Sequence, residues 1–367
     1  MSVMNAMPDM LNFAVGPVMS DDDILAIGAE QVPYFRTAEF SEVMKENEKM
    51  LLELADAPAD SRAVFLTTSG TGAMEAAVIN TLDTTDKVLV VNGGSFGQRF
   101  CDLCSLHSIE HTAIELKFGT PLRHEDLEPY ENAGYTAFLV NMNETSSGVL
   151  YDIELISQFC KRNNLFLIVD AVSAFLTDPF SLSASGAGIM LTGSQKALGC
   201  PPGISMLVLT PDALERVKRI ESGSMYLDIK SALTNGERGQ TPFTPAVSIL
   251  LQIHRRLKKI IEAGGQKSET DRVRSIAEDL RTRIAHLPLT LFGSSPSHGV
   301  TAFQTPFGVS AHKIFEILKD EYNIWICPNG GQYKDTVFRI GHMGALTTDD
   351  NKRLVEALDD LHQRGLL

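Results

Sequence analysis

The chain has 367 residues, with 46 Asp and Glu against 32 Lys and Arg, for a net charge of −14. That balance excludes binding along a nucleic-acid backbone, which needs Lys and Arg clustered on one face, so any anionic ligand must be held by local geometry. The length suits one large domain plus a smaller one, or two of similar size, with ample chain to bury a core. No apolar run approaches the roughly 20 residues of a membrane span, and Met1 to Asn12 lack the basic start and apolar core of a signal peptide. The chain ends Arg364-Gly365-Leu366-Leu367, not in a peroxisomal address, so a cytoplasmic location is expected. Its five cysteines, Cys101, Cys104, Cys160, Cys200 and Cys327, are odd in number and lie in apolar surroundings, which suits reduced thiols better than a disulfide framework.

From about residue 62 to 210, short apolar runs alternate with helix-length amphipathic ones. The runs are Val64 to Thr67, Val88 to Val91, Thr112 to Leu116, Ala137 to Asn141, Leu165 to Asp170, Ile189 to Thr192 and Ser205 to Leu209. Continuous Val, Leu and Ile without polar alternation marks strands covered on both faces, hence an α/β fold with a mostly parallel sheet between helices. Ligands of such sheets lie off the carboxyl ends of the strands. The polar segment Ser222 to Thr244 reads as a long ordered excursion able to reach a neighbouring subunit. Helices are expected over Pro245 to Glu262, Ser268 to Ala285, Ala311 to Tyr322 and Asp349 to Arg364, with extended runs at Val300 to Thr305 and Trp325 to Cys327, forming a smaller α+β layer. The expected division is an N-terminal segment 1–16, a large domain 17–262 and a small domain 263–367.

Chemistry concentrates at the ends of the apolar runs. Asp170 closes one, and Lys196 follows the next in Gly193-Ser194-Gln195-Lys196-Ala197. A lysine and a carboxylate so placed are a matched pair for pyridoxal phosphate: the amine forms the Schiff base, and the acid faces the pyridine nitrogen and keeps it protonated. Thr68-Ser69-Gly70-Thr71-Gly72 runs from a strand into a helix expected over Ala73 to Leu82, converging backbone N–H groups on a helix start in the manner of a phosphate cradle. Taken singly, each feature has an ordinary reading as turn, cap or solvated lysine; their chain order makes them one constellation. Arg339 lies in the apolar run Val337 to Gly341, where its fork could take a carboxylate or close an interdomain ion pair. Phe96, after the strand ending near Val91, could lie over an aromatic cofactor or fill core. Cys101, Cys104, His107 and His111 have metal-like spacing, but they sit on an amphipathic helix without a second CxxC, so no metal site is expected.

With these residues in place, the sequence resembles class V aminotransferases of pyridoxal-phosphate fold type I, the group that includes alanine–glyoxylate and serine–pyruvate transaminases and 2-aminoethylphosphonate–pyruvate transaminase. The resemblance is carried by Val15-Gly16-Pro17, Phe35-Arg36-Thr37-Ala38-Glu39-Phe40, Thr68 to Gly72, Asn143-Glu144-Thr145-Ser146-Ser147-Gly148, Val169-Asp170-Ala171-Val172-Ser173, Gly193 to Ala197, Thr241-Pro242-Phe243-Thr244-Pro245 and Phe338-Arg339-Ile340-Gly341-His342-Met343-Gly344. It implies a seven-stranded sheet, pyridoxal phosphate as cofactor, and a homodimer sharing its active sites.

The resemblance also implies roles. Lys196 would carry the cofactor and shuttle the proton at the substrate Cα, Asp170 would pair with the pyridinium, Phe96 would stack on the ring beside Val172, and Thr145 would sit near the ring hydroxyl. Gly70, Thr71, Gly72 and Gln195 would hold the phosphate, joined by Thr241 and Thr244 of the second subunit. Arg339 would take the substrate carboxylate, with Gly16 nearby. Phe96 where many relatives have Trp, and Met142-Asn143 where they have His, bear on the choice of substrate. The expected activity moves an amino group from alanine or serine to glyoxylate or pyruvate in two half-reactions; 2-aminoethylphosphonate as donor, for which Arg36 is the spare cation, and a cysteine desulfurase-like lyase are the alternatives.

Overall fold

The computed structural model describes residues 10–367. The start of the chain up to Asp9, including most of the stretch read as lacking a leader and much of the 1–16 segment, lies outside them.

Seven apolar runs become the strands of one sheet: β1 (Arg62–Leu66), β2 (Lys87–Asn92), β3 (Glu110–Glu115), β4 (Ala137–Asn141), β5 (Phe166–Asp170), β6 (Ile189–Gly193) and β7 (Ser205–Leu209). Their spatial order is β1-β7-β6-β5-β4-β2-β3. β7 alone is antiparallel to its neighbours, so the expected mostly parallel sheet is observed, and the carboxyl ends of the other six strands share one edge.

Both faces of the sheet are covered because successive side chains point to opposite sides. Ala63 and Phe65 join one apolar cluster while Val64 and Leu66 join another, and Leu89 and Val91 are divided from Val88 and Val90 in the same way. The helix Gly70–Thr81 is buried around most of its circumference, which its small residues Ala73, Ala76 and Ala77 permit.

A second sheet of four antiparallel strands is built from Thr290–Leu291, Val300–Gln304, Val337–Gly341 and Cys327–Pro328, in that spatial order. Phe303, Phe338 and Ile340 pack with Leu280, Ile314 and Leu358 in a third core. Leu11 and Phe13 join it, because Leu11–Asn12 pairs in parallel with Ile324–Trp325. The chain's start is thereby tied to its C-terminal part.

Several expected boundaries shift. The run Trp325 to Cys327 divides between two sheets. The segment Ser222 to Thr244 contains the helix Ile229–Gly236, whose start is capped by the Asp228 carboxylate accepting from Lys230 N–H at 2.9 Å and which buries Ile229 and Ala232. The helix expected from Ser268 begins at Gly265, and the one expected from Ala73 begins at Gly70. The last difference matters most, since it puts the glycine-rich turn inside the first turn of the helix.

Candidate active site

β5 and β6 run in parallel with Asp170 opposite Leu191. Lys196 lies just past the end of β6, in a turn closed by Gly199 N–H to Lys196 O at 2.8 Å and Cys200 N–H to Ser194 O at 3.0 Å. Asp170 and Lys196 therefore face the same edge of the sheet, at 5% and 7% exposure. Burial lowers the Lys196 amine to about 8, with the nearby Arg339 charge acting the same way. Burial raises the Asp170 carboxyl to about 7, opposed by the Val172 N–H, which donates to Oδ1 at 2.8 Å, and by the charge of Lys196. The amine donates to Val15 O, and Gly16 leaves no room for a side chain: a Cβ there would stand 2.8 Å from Lys196 Cδ.

The helix after β1 begins Gly70, Thr71, Gly72, with Ser69 at its N-cap making no side-chain cap bond. The first-turn amides are thus left for another acceptor, with the positive end of the helix dipole behind them. Gly72 is required by crowding, since a Cβ would lie 2.0 Å from Thr68 Oγ1; one on Gly70 would approach Val172 Cγ2 to 3.1 Å. Val172 and Gln195 follow the ends of β5 and β6. Thr71 Oγ1 accepts from Arg99 at 3.0 Å, and the Arg99 guanidinium lies 4.7 Å over the Phe96 ring.

Phe96 lies in the first turn of the helix Ser95–Leu106 after β2. Its N–H and that of Gly97 each donate to Glu144 Oε2 at 3.2 Å, and Asn141 Nδ2 does so at 3.0 Å. Glu144 Oε1 takes the Ser146 N–H at 3.1 Å and the Ser146 hydroxyl. This fully buried carboxylate clamps the Phe96 turn to the loop after β4. Gly97 allows the approach, because a Cβ there would meet Val91 O at 2.4 Å. The sequence assigns no role to Glu144 or Arg99; Glu144 stands in one of the blocks that carry the resemblance and Arg99 in none, and only the fold shows that Glu144 meets amides from another loop and that Arg99 bridges Phe96 on its own helix to the distant Thr71.

Thr145 Oγ1 shares a hydrogen bond of 2.7 Å with Ser173 Oγ, joining the loops after β4 and β5. The Thr145 carbonyl accepts from Arg339 Nη1 at 2.9 Å, which brings the small sheet to the same place. Arg339 Nη2 donates to Pro328 O at 3.1 Å and to Cys327 Sγ at 3.2 Å, while Nε is buried without a partner. All the guanidinium's acceptors are neutral, so the interdomain ion pair is not what it forms.

Thr241 and Thr244 line a pocket with Phe65, Leu66, Thr67 and Tyr226 of the same chain, at the carboxyl end of β1. Thr241 is buried with its hydroxyl donated to Phe243 O at 2.7 Å, and Thr244 is exposed. Cys101 and Cys104 lie buried on a helix with their thiols pushed up to about 11 and about 12, and His107 contacts Glu75 at 3.0 Å.

The residues fit pyridoxal phosphate on their own terms. An uncapped glycine-rich helix start suits a phosphate dianion, a carboxyl lifted to about 7 by burial lacks the cation a pyridinium would supply, and a desolvated amine at about 8 suits an aldehyde. The family model for class-V aminotransferases matches residues 32–333. An L-aspartate–glyoxylate aminotransferase of Paracoccus denitrificans is 31% identical over 294 residues, 77% of this chain and 74% of that protein. An alanine–glyoxylate aminotransferase of Felis catus is 28% identical over 376 residues, 98% of this chain and 89% of that one. The crystal structure of a subgroup IV aspartate aminotransferase from Thermus thermophilus superposes with a TM-score of 0.89 at 27% identity, covering 96% of this chain and 99% of that one. The chain therefore belongs to the class-V aminotransferases, with the fold type I architecture and pyridoxal phosphate as its cofactor.

Proposed function

We propose that the enzyme moves an amino group from a small amino acid, alanine or serine, to glyoxylate or pyruvate. The observation that carries this is Arg339, a guanidinium with neutral acceptors and a buried unpartnered Nε, close enough to Lys196 to act on its charge. Such a group wants a carboxylate, and here it would hold that of the substrate beside the amine.

When bound, the cofactor supplies an electron sink that makes the substrate Cα proton removable. The chain's own groups do the rest. Lys196 Nζ would hold the cofactor's aldehyde carbon and, once free, move the proton between the substrate Cα and the cofactor's C4′ carbon; an amine at about 8 is matched to that task near neutral pH. Asp170 would keep the ring nitrogen protonated, Phe96 and Val172 would confine the ring, and Thr145 would lie near its hydroxyl. Gly70, Thr71, Gly72 and Gln195 would hold the phosphate. In this reading the enzyme is a homodimer whose partner supplies Thr241 and Thr244 to that phosphate, and the chain divides functionally at 16/17 and 262/263.

Aspartate is a second donor reading, favoured by the 31% identical relative named for L-aspartate and glyoxylate. A desulfurase is disfavoured, since the Cys200 thiol is buried and pushed up to about 12 and Cys327 lies on a strand. The deciding experiment mixes the loaded enzyme with alanine, serine, aspartate and 2-aminoethylphosphonate and follows the cofactor spectrum in single turnovers. Conversion by alanine or serine at the highest kcat/KM is expected. Conversion by aspartate or the phosphonate alone would overturn that donor assignment.

A further inference from the structure

Arg339 sits in an inner strand of the four-stranded sheet, directly opposite Cys327 on one side and Ala302 on the other. Directly opposed residues in an antiparallel ladder share a face, so the thiol and the guanidinium are cross-strand neighbours, while the methyl group of the buried Ala302 on the other side offers the fork no acceptor. A guanidinium has five N–H donors in a fixed plane. Three are occupied: one on Nη1 by Thr145 O at 2.9 Å, and two on Nη2 by Pro328 O at 3.1 Å and Cys327 Sγ at 3.2 Å. The Nε–H is buried without an acceptor. The thiol's own hydrogen is directed at Pro328 O, 3.8 Å away.

These contacts are unequal. Carbonyl oxygens are full acceptors, whereas thiol sulfur is a weak one, and a carboxylate taking two parallel N–H bonds outcompetes either. A carboxylate arriving on the Nε and Nη2 edge would satisfy the orphaned Nε–H and would need one Nη2–H released. The bond that exchanges at least cost is the one to sulfur.

We propose that Cys327 is a positioning residue for substrate recognition: its sulfur holds the Arg339 fork in plane as a weak, exchangeable stand-in, and gives way to the carboxylate of the amino or keto acid. This rests on the reading of Arg339 as the carboxylate anchor. Acceptor strength at position 327 then sets the affinity for carboxylate substrates without altering the chemical step. A cysteine serves because it orients the fork yet competes poorly for it.

The test uses the cofactor-loaded enzyme with Cys327→Ser and Cys327→Asp. A hydroxyl is a better acceptor and should raise KM for the amino and keto acids by about 3- to 10-fold. A built-in carboxylate should raise it by about 100-fold or more, the scale of competing for a desolvated charge pair. In Cys327→Ser, kcat and single-turnover conversion of an alkylamine lacking a carboxylate should stay near wild type; Cys327→Asp is read on KM alone, because its charge also acts on Lys196. A second readout needs no variant. The other four cysteines are buried, and Cys327 is partly exposed, so iodoacetamide labelling followed by mass spectrometry reports on it. Saturating pyruvate should slow labelling of Cys327 about tenfold, and Arg339→Gln should abolish that protection.

If pyruvate leaves the labelling rate unchanged in the wild-type enzyme, or if the Ser variant lowers kcat for carboxylate and alkylamine substrates alike, the proposal fails. Arg339→Gln separates the two levels. Should it leave KM unchanged, the anchor reading itself falls; should it raise KM while Ser and Asp at 327 do not, only the role of Cys327 falls.

Discussion

On the large sheet, Asp170 ends β5 and Lys196 follows β6 by a short turn, so each is delivered to the edge by its own strand. On the small sheet, Arg339 lies within a strand and reaches the same place only because that sheet docks Pro328 and Cys327 beside it and Thr145 in front of it. The first wall is assembled from strand ends that each carry one group to the edge, with Glu144 and the Thr145–Ser173 bond tying neighbouring loops together. The second depends on register and on docking between layers. If the first wall holds the cofactor and the second the substrate, as proposed above, the cofactor wall should lose function group by group and the substrate wall all at once when the sheet shifts.

The largest effect is expected at the centre of the cofactor wall. Lys196→Ala should prevent borohydride from fixing the cofactor to the chain, as read by intact mass, and lower turnover by roughly 10³-fold, while leaving binding of a keto acid at the Arg339 wall nearly unchanged. Loss of keto-acid binding in that variant would break the division between the walls.

A smaller effect follows from the buried acid. Asp170 is raised from 3.8 to about 7 in the folded protein, so its contribution to the cofactor-free enzyme is fully present below pH 4 and lost as pH rises through 7. The swing is on the order of 4 kcal/mol at about 1.4 kcal/mol per unit. Thermal melts of the cofactor-free protein should show it, Asp170→Asn should flatten it, and, on the proposed role of Asp170, the loaded enzyme should lack it because the ring nitrogen would supply the missing cation. A flat wild-type profile would mean that Asp170 is better solvated than its position indicates.

The smallest sharpens the role of the clamp. Glu144→Gln turns an amide group toward donors that now meet only a carboxylate, and should cost about 2 kcal/mol, read in the melting curve and in weaker cofactor binding through a loosened Phe96 turn. KM for the keto acid should move little. An equal loss on both sides would place Glu144 at the junction of the walls instead.

The strands and the polar residues at their ends can be read from the chain alone, because a strand buried on both faces must be a continuous apolar run and its punctuation falls where the chain turns. Val88 to Val91 and Ile189 to Thr192 show this plainly. Asp170, Lys196 and the glycine-rich turn were legible for the same reason, being fixed to elements whose ends could be read. Helix starts were less so: Gly70 and Gly265 begin helices that composition placed later, because glycine's weak intrinsic preference gives no sign that tertiary packing will override it.

The partners of these groups are set by the folded arrangement. That Glu144 clamps amides 47 and 48 residues away, that Arg339 finds carbonyls and a sulfur in place of an acid, and that Val15 O meets the amine of Lys196 all depend on contacts between segments distant in the chain. Periodicity records which way a residue faces within its own element; it carries no information on what stands opposite, and burial, charge and hydrogen bonding are set by that neighbour.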